Sequence, residues 1–200
     1  MAVTARFGFW AAVAACFFAL AYGVPQVLQV AGWLTFPVDE ILIFAPSLAL
    51  APSFVLANVG LYESTATGRR VFALAALALA LHYTVLVSIV YVVQLGVVIP
   101  ARLAGGNPVS ALFGCCGSGM PLTAIDLLGY TLMSVSTLFA AGAIVGNRPL
   151  RWALVANGLL APFLILQLAW PGLIWIGALW LVTFPLAMGL LAAYLRRTGG

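Results

Sequence analysis

The chain is a succession of long apolar stretches that short polar segments interrupt. Each of six stretches meets or exceeds the ~20 residues that an α-helix needs to cross the ~30 Å hydrocarbon core of a bilayer. They cover residues 7–32, 41–62, 71–100, 124–146, 150–170 and 173–195. Because each stretch is continuously apolar, the pattern predicts helices and not the alternating strands of a membrane barrel.

Composition supports the same fold class. The chain is 65% hydrophobic and 6% charged, whereas a soluble domain is about half apolar and about a quarter charged. An aromatic content of 12% also argues against a disordered chain, which is poor in aromatic residues. We therefore predict an all-α integral membrane protein in which residues 1–200 form a single domain, a bundle of six transmembrane helices.

The arginines predict the orientation of this bundle. Six spans put both termini and the loops 63–70 and 147–151 on one side of the membrane. Seven of the eight cationic residues lie on that side, and Arg102 alone lies on the other. Since short arginine-rich loops stay in the cytoplasm, both termini are predicted to be cytoplasmic. The basic balance thus indicates topology rather than nucleic-acid binding, because no basic run is interleaved with aromatic residues.

The first apolar stretch has a second interpretation. Arg6 precedes it, and Ala19-Leu20-Ala21 has the small-x-small pattern of a signal-peptide cleavage site. The apolar character continues through Val30 and Trp33, which is the length of a membrane span rather than of a signal core. We favour a span.

Polar side chains recur at three- and four-residue spacing on several spans, mostly in the halves predicted to face outside. Such faces predict a pocket that is open to the outside and lined by amide and hydroxyl groups. The candidate ligand-binding residues are Gln26, Gln29, Tyr91, Gln94, Asp126 and Tyr130. The alternative is that these groups hydrogen-bond neighbouring helices to one another.

The acidic residues at the starts of spans have an alternative structural role. Asp39 and Glu40 stand where the second span begins, and Thr123-Ala124-Ile125-Asp126 has the spacing of a capping box at the start of the fourth. All three acids are therefore also candidates for capping helix N-termini and complementing the helix dipoles.

The longest connection, residues 101–122, contains the pair Cys115-Cys116. Thiolates bind soft metals, so the pair suggests metal or redox chemistry. The remaining cysteine, Cys16, lies in the first span near the opposite face, and the spacing lacks the four ligands of a structural zinc site. We therefore predict no metal site. The apolar middle of the connection, 109–113, predicts that it dips back toward the bilayer.

No recognisable catalytic motif is present, and we predict no catalytic residue and no cofactor. The single histidine, His82, lies near the middle of the third span, about 160° around a regular helix from the polar face at Thr84. It is predicted to be a hydrogen-bonded packing residue. An intramembrane enzyme that uses Asp126, His82 or Glu40 on a lipid or isoprenoid is a lesser alternative.

Two prolines suggest internal symmetry. Leu50-Ala51-Pro52 and Leu160-Ala161-Pro162 lie near the middle of the second and fifth spans, which correspond if the six spans are two inverted sets of three. Proline removes a backbone hydrogen bond, and interrupted helices at matching positions are typical of transporter binding sites. A 3+3 inverted arrangement is therefore an expectation.

Four segments carry a resemblance to a family. They are residues 126–131 (DLLGYT), 136–141 (STLFAA), 157–163 (NGLLAPF) and 175–180 (WIGALW). Together they resemble a group of uncharacterised bacterial six-span integral membrane proteins. The resemblance runs through most of the chain and implies a bacterial origin and the six-span fold, but it brings no activity with it. In size, span count and predicted pocket the chain is also similar to the substrate-binding subunits of energy-coupling-factor vitamin transporters.

These observations lead to one main prediction. The protein is expected in the bacterial cytoplasmic membrane, where it binds a small neutral or amphipathic molecule as a transporter or as a binding subunit of one. Its expected partners are the lipid bilayer, that ligand, and a membrane protein partner or a second copy, but no nucleic acid. The alternative is a noncatalytic scaffold or accessory subunit of a larger membrane complex.

Overall fold

The computed structural model describes residues 3–117 and 119–198, so both ends of the predicted 200-residue domain and Ser118 of the long connection lie outside the described residues. Within those two ranges the secondary structure is helical and contains no strand, which confirms the all-α class. The α-helices are α1 (Val3–Val30), α2 (Val38–Ser64), α3 (Arg70–Val93), α4 (Ile99–Leu103), α5 (Pro108–Leu112), α6 (Pro121–Ala143), α7 (Arg148–Gly158), α8 (Ala161–Ile165), α9 (Ile174–Gly177) and α10 (Trp180–Thr198).

In the described part of the chain, six helical stretches are long and apolar enough to cross a membrane, as predicted. Their ends lie within a few residues of the predicted ones. The third is the longest, because a π-helical stretch, Gln94–Val98, joins α3 to α4 without a break. The six stretches are Arg6–Val30, Val38–Ser64, Thr67–Leu103, Pro121–Ala143, Arg148–Leu168 and Pro171–Thr198.

The six spans form a closed ring in chain order. Helix α1 packs on α2, α2 on α3, α3 on α6, α6 on α7, α7 on α10, and α10 returns to α1. Consecutive spans run in opposite directions, so both ends of the described chain lie at one end of the ring. We call this the termini end, and the opposite end, which carries the connection 101–122, the loop end.

Small residues allow the ring to close tightly. A Cβ atom added to Gly8 of α1 would lie 2.7 Å from the Cα atom of Gly60 on α2, so the two backbones touch there. Ala12 and Ala15 are fully buried on α1. Close approach through small residues is how helices pack when the surrounding lipid is as apolar as their own side chains.

The prolines act differently in the two helices that were predicted to correspond. Helix α2 continues through Pro52 without interruption. The fifth span is interrupted, because α7 ends at Gly158 and α8 begins at Ala161. The prediction of matching interruptions is therefore wrong for α2, and the inverted 3+3 arrangement stays a prediction.

The predicted capping box at the start of the fourth span is also wrong. Helix α6 begins earlier, at Pro121, and no side chain caps it. Proline suits the first helical position because it has no N–H group to satisfy. Thr123 is therefore inside the helix, and Asp126 lies in the second turn, where a capping role is no longer available to its carboxylate.

Candidate functional site

Four spans bring large polar aromatic side chains together inside the ring. The ring centroids of Tyr83 and Tyr130 lie 5.7 Å apart, those of Tyr130 and Trp180 5.1 Å, and those of Tyr22 and Trp180 5.7 Å. These edge-to-face contacts connect α1, α3, α6 and α10. We call the tyrosine cluster the set Tyr22, Tyr83, Tyr91, Tyr130 and Trp180.

Two predicted site residues meet within this cluster. The hydroxyl groups of Tyr91 on α3 and Tyr130 on α6 are 2.7 Å apart and share a hydrogen bond. Both side chains are buried, and the ring of Phe44 stacks on Tyr91 at 5.7 Å between centroids. The three- and four-residue spacing in the sequence therefore identified one wall of a common interior.

Asp126 is the acidic member of the same region. It precedes Tyr130 by four residues, so the two side chains lie on one face of α6. Its carboxyl group is close enough to Tyr22, Tyr83 and Tyr91 to interact with them electrostatically. The structure thus unites three of the six predicted site residues, namely Asp126, Tyr91 and Tyr130.

In the described part of the chain, three of the five buried side-chain polar atoms without a hydrogen-bond partner lie on the cluster or on the neighbouring Asp126. They are Oδ1 of Asp126, the hydroxyl of Tyr83 and Nε1 of Trp180. Leaving such a group unpaired costs about 1–3 kcal/mol, and buried polar groups are paired in the large majority of cases. Together the three atoms offer an acceptor, a donor, and a hydroxyl that can do either.

The predicted glutamines of the first span have other partners. The side chain of Gln26 donates to Oε1 of Gln29 at 3.1 Å, and Gln29 donates to Oδ2 of Asp39 at 2.7 Å. Asp39 lies in the first turn of α2 and is buried. These hydrogen bonds connect α1 to the start of α2 at the loop end, rather than to the tyrosine cluster.

Gln94 supports the long connection. It is only 1% exposed, and its Nε2 atom donates to the carbonyl oxygen of Phe113 at 2.8 Å. Gln94 is the first residue of the π-helical stretch, a distortion that is frequent at functional sites. Its role in the structure is to hold the end of α5 against α3.

The ion pair of Glu40 with Arg102 also fixes the loop end. The guanidinium group of Arg102 lies 3.9 Å from the centroid of the Phe36 ring as well. The Glu40 carboxylate is therefore paired with a cation. Like Asp39, Glu40 lies in the first turn of α2, where its charge complements the helix dipole. Neither side chain makes a capping hydrogen bond to this helix.

His82 lies at the periphery of the ring, where its side chain is exposed. Its Nδ1 atom is 2.8 Å from the carbonyl oxygen of Ala78 on the same helix. The predicted hydrogen bond is therefore found, but the predicted packing is wrong. The next residue, Tyr83, points into the interior of the ring of helices, so His82 points away from it and from Asp126. An enzyme that used both His82 and Asp126 would need the two side chains at one reacting atom.

A second polar set was not predicted from the sequence. The amide of Asn157 on α7 donates to Oγ1 of Thr137 on α6 at 3.2 Å and accepts from Oγ1 of Thr183 on α10 at 2.9 Å. We call these three residues the Asn157 network. The available signal was the first of two side-chain amides in the fifth apolar stretch, which stands next to Gly158 and shortly before Pro162.

The paired cysteines lie beside the candidate site. Cys115 and Cys116 are joined by a disulfide, and their sulfur atoms and a carboxylate oxygen of Asp126 all lie within 4.8 Å of one another. Three groups with metal-ligating atoms are therefore neighbours at the loop end.

Two cavities are found elsewhere in the described part of the chain. A groove of about 760 Å³ runs along α1 and α10, where Cys16 and Gly189 line it. A smaller one of about 400 Å³ lies at the termini end and is lined by Arg69, Arg148 and Arg151. Neither is lined by the tyrosine cluster, whose aromatic rings pack against one another.

Comparisons of the chain with protein-family models, with curated proteins and with solved structures find no match. The functional conclusion therefore depends on the geometry of the tyrosine cluster and its surroundings.

Proposed function

We propose that this chain is an integral protein of the bacterial cytoplasmic membrane that binds a small neutral or amphipathic molecule at the tyrosine cluster, as a transporter or as a binding subunit of one. The observation that carries the proposal is the concentration of unpaired buried polar atoms on Asp126, Tyr83 and Trp180. A ligand with a matching donor and acceptor would pair these atoms and recover their desolvation cost.

The arginine distribution supports access from outside the cell. With the termini end in the cytoplasm, seven arginines lie inside, and the loop end faces outward. Asp126 is in the second turn of α6, counted from the loop end. The proposed site is therefore in the outer half of the bilayer.

The charges favour a neutral ligand. Asp126 lies beside the tyrosine cluster, whereas at the loop end Asp39 accepts a hydrogen bond from Gln29 and Glu40 is paired with the cation Arg102. Aromatic rings supply apolar walls, while their hydroxyl and indole groups give directional hydrogen bonds. A molecule with a small apolar body and a few polar groups fits this chemistry.

Binding would require the loop end to open. The Gln94–Phe113 hydrogen bond and the Arg102–Glu40 ion pair hold the connection 101–122 against the spans. These two contacts are local, as expected of a segment that moves to admit a ligand. Gln94 thus contributes by controlling access in addition to any direct contact.

Thermal unfolding of the detergent-purified protein tests the proposal. Neutral and amphipathic metabolites would be screened for stabilisation, which reaches about 2.7 kcal/mol at a ligand concentration 100 times the Kd. We expect the Asp126→Asn and Tyr83→Phe variants to need at least a tenfold higher ligand concentration than the parent protein for the same stabilisation. Gln94→Ala should weaken it less, because that residue acts on access.

Tyr62→Phe is the matched control, because Tyr62 lies at the termini end, where Arg70 covers its ring at 5.4 Å. It should respond to the ligand like the parent protein. If Asp126→Asn and Tyr83→Phe also respond like the parent, the tyrosine cluster is not the binding site.

A noncatalytic scaffold or accessory subunit is the second candidate. It is favoured by the tight packing of the tyrosine cluster, since both cavities described above lie elsewhere. Recovery of a stoichiometric membrane partner in mild detergent, together with no stabilisation by any metabolite in the screen, would support this function over ligand binding.

A further inference from the structure

The long connection and α6 together assemble three ligating groups that are separate in the sequence. The sulfur atoms of Cys115 and Cys116 and a carboxylate oxygen of Asp126 lie within 4.8 Å of one another. From the sequence, the cysteine pair lacks further ligands at zinc-site spacing. The fold supplies the third ligand, because the connection returns over the first turns of α6.

Thr123 fixes this arrangement. Its hydroxyl accepts a hydrogen bond from the backbone N–H of Cys116 and donates one to the carbonyl of Gly117, both at 2.9 Å. Thr123 precedes Asp126 by three residues, so both side chains lie on one face of α6. The cysteines are therefore held on the face of α6 that carries the carboxylate.

The backbone at the pair is unusual as well. Cys116 has a φ of 75° and is the only residue other than glycine with a positive φ in the described part of the chain. Side chains other than glycine rarely adopt this left-handed conformation, and such positions are concentrated at functional sites. One oxygen of Asp126 is also buried without a hydrogen-bond partner.

We propose that Cys115, Cys116 and Asp126 form a binding site for a soft or borderline divalent cation, such as Zn²⁺ or Cd²⁺, when the two cysteines are reduced. In a tetrahedral zinc site the metal–sulfur distance is ~2.3 Å and the metal–oxygen distance ~2.1 Å, which separates sulfur from oxygen by about 3.6 Å. The three ligating atoms already lie within 4.8 Å of one another. A fourth position stays open to water or another ligand.

The redox state of the pair controls the site. In the structure Cys115 and Cys116 are bonded to each other, so neither provides a thiolate. Two molecules of a small thiol reduce the pair: the sulfur–sulfur bond of the protein breaks, one forms between the two reductant molecules, and two hydrogens pass to the cysteines. Both thiols then lose their protons when the cation binds.

The cation site shares Asp126 with the proposed site for a neutral molecule, but its other ligands differ. The two can be distinguished experimentally, because metal binding needs the cysteines and reduction, whereas the neutral ligand needs Tyr83. Loss of one property without the other is therefore measurable.

The test uses the full chain in detergent and Cd²⁺ as the probe. One sample is reduced with dithiothreitol and freed of it without oxygen, and the other is kept oxidised. Native mass spectrometry counts bound ions, and titration gives the Kd. We expect one Cd²⁺ for each reduced chain and none for the oxidised chain. Cys115→Ser, Cys116→Ser and Asp126→Asn should each raise the Kd at least tenfold in the reduced state.

Cys16→Ser is the matched control, because the Cys16 thiol contacts the carbonyl of Pro185 on α10 and is not part of the group of ligands. This variant should bind Cd²⁺ like the parent. Equal binding by oxidised and reduced protein would overturn the proposal, even if every variant failed to fold. An unchanged Kd in a folded Asp126→Asn variant would overturn the assignment of the third ligand.

Discussion

The tyrosine cluster and the Asn157 network are both buried polar regions inside the ring, yet their hydrogen bonding differs. In the Asn157 network, both polar atoms of the amide are paired with hydroxyl groups on neighbouring spans. In the tyrosine cluster and the neighbouring Asp126, by contrast, Asp126, Tyr83 and Trp180 each retain a buried polar atom without a partner. Burial of polar groups alone therefore does not indicate a binding site in this bundle, whereas the concentration of three unpaired atoms at the tyrosine cluster and Asp126 separates that region from the Asn157 network.

The two regions also differ in how closely their helices approach one another. Next to the Asn157 network, a Cβ atom added to Gly158 would lie 3.0 Å from the carbonyl oxygen of Ser134, so α7 and α6 are in close contact. The hydroxyl of Ser134 is nonetheless unpaired, which makes it the exception at this contact. The tyrosine cluster instead joins four spans through edge-to-face contacts between aromatic rings.

The largest stability effect is expected from Asn157→Ala. The substitution removes two interhelical hydrogen bonds and leaves a small cavity, so we expect a loss of about 2 kcal/mol in the free energy of unfolding. Unfolding in mixed detergent micelles would measure it. Asn58→Ala is the matched control, because Asn58 is also buried but donates only to Phe54 on its own helix. Equal losses in the two variants would contradict a stabilising role for the interhelical bonds.

Tyr83→Phe should have the opposite sign. The hydroxyl is buried without a partner, so removing it should raise the free energy of unfolding by about 1 kcal/mol in the absence of ligand. The same unfolding assay applies, and the ligand response should fall, as described above. A loss of stability in Tyr83→Phe would mean that the hydroxyl is paired in the membrane-embedded protein.

Tyr91→Phe is expected to have the smallest effect. It removes the hydrogen bond between Tyr91 and Tyr130 but keeps the aromatic ring that stacks on Phe44. We expect a loss of about 0.6 kcal/mol, the average for an interhelical hydrogen bond in a membrane protein. The difference in sign between Tyr91→Phe and Tyr83→Phe, two substitutions of the same type on one helix, is the sharpest comparison. It would disappear if both hydroxyl groups had equivalent surroundings.

The sequence was sufficient to predict the spans, because continuous apolar stretches of this length have few other structures available. It also predicted that Asp126 and Tyr130 share one face of a helix, since they are four residues apart. The sequence did not assign Tyr83 and Trp180 to the interior of the bundle. When both the periphery and the core are apolar, the sequence has almost no periodic contrast that would show which helix face is buried.

Other features depended on contacts between distant parts of the chain. The sequence contained no signal that Gln29 pairs with Asp39, or that Gln94 pairs with the carbonyl of Phe113. The early start of α6 at Pro121 changed the position of Asp126 from a cap to the second turn. The third ligand beside the cysteines was missed for the same reason, since only the fold brings the connection over α6.

Closure of the ring has a consequence for how the protein is made. Helix α10 carries Trp180 and Phe184, whose aromatic rings stack at 4.9 Å between centroids. Inside the ring of helices, Trp180 packs against Tyr130 and Phe184 packs against Phe54. The ribosome synthesises this helix after the other five spans. Until it packs, Tyr130 of α6 and Phe54 of α2 lack the rings of Trp180 and Phe184 that lie against them. Covering of the polar interior therefore waits for contact between the first and the sixth of the described helical stretches.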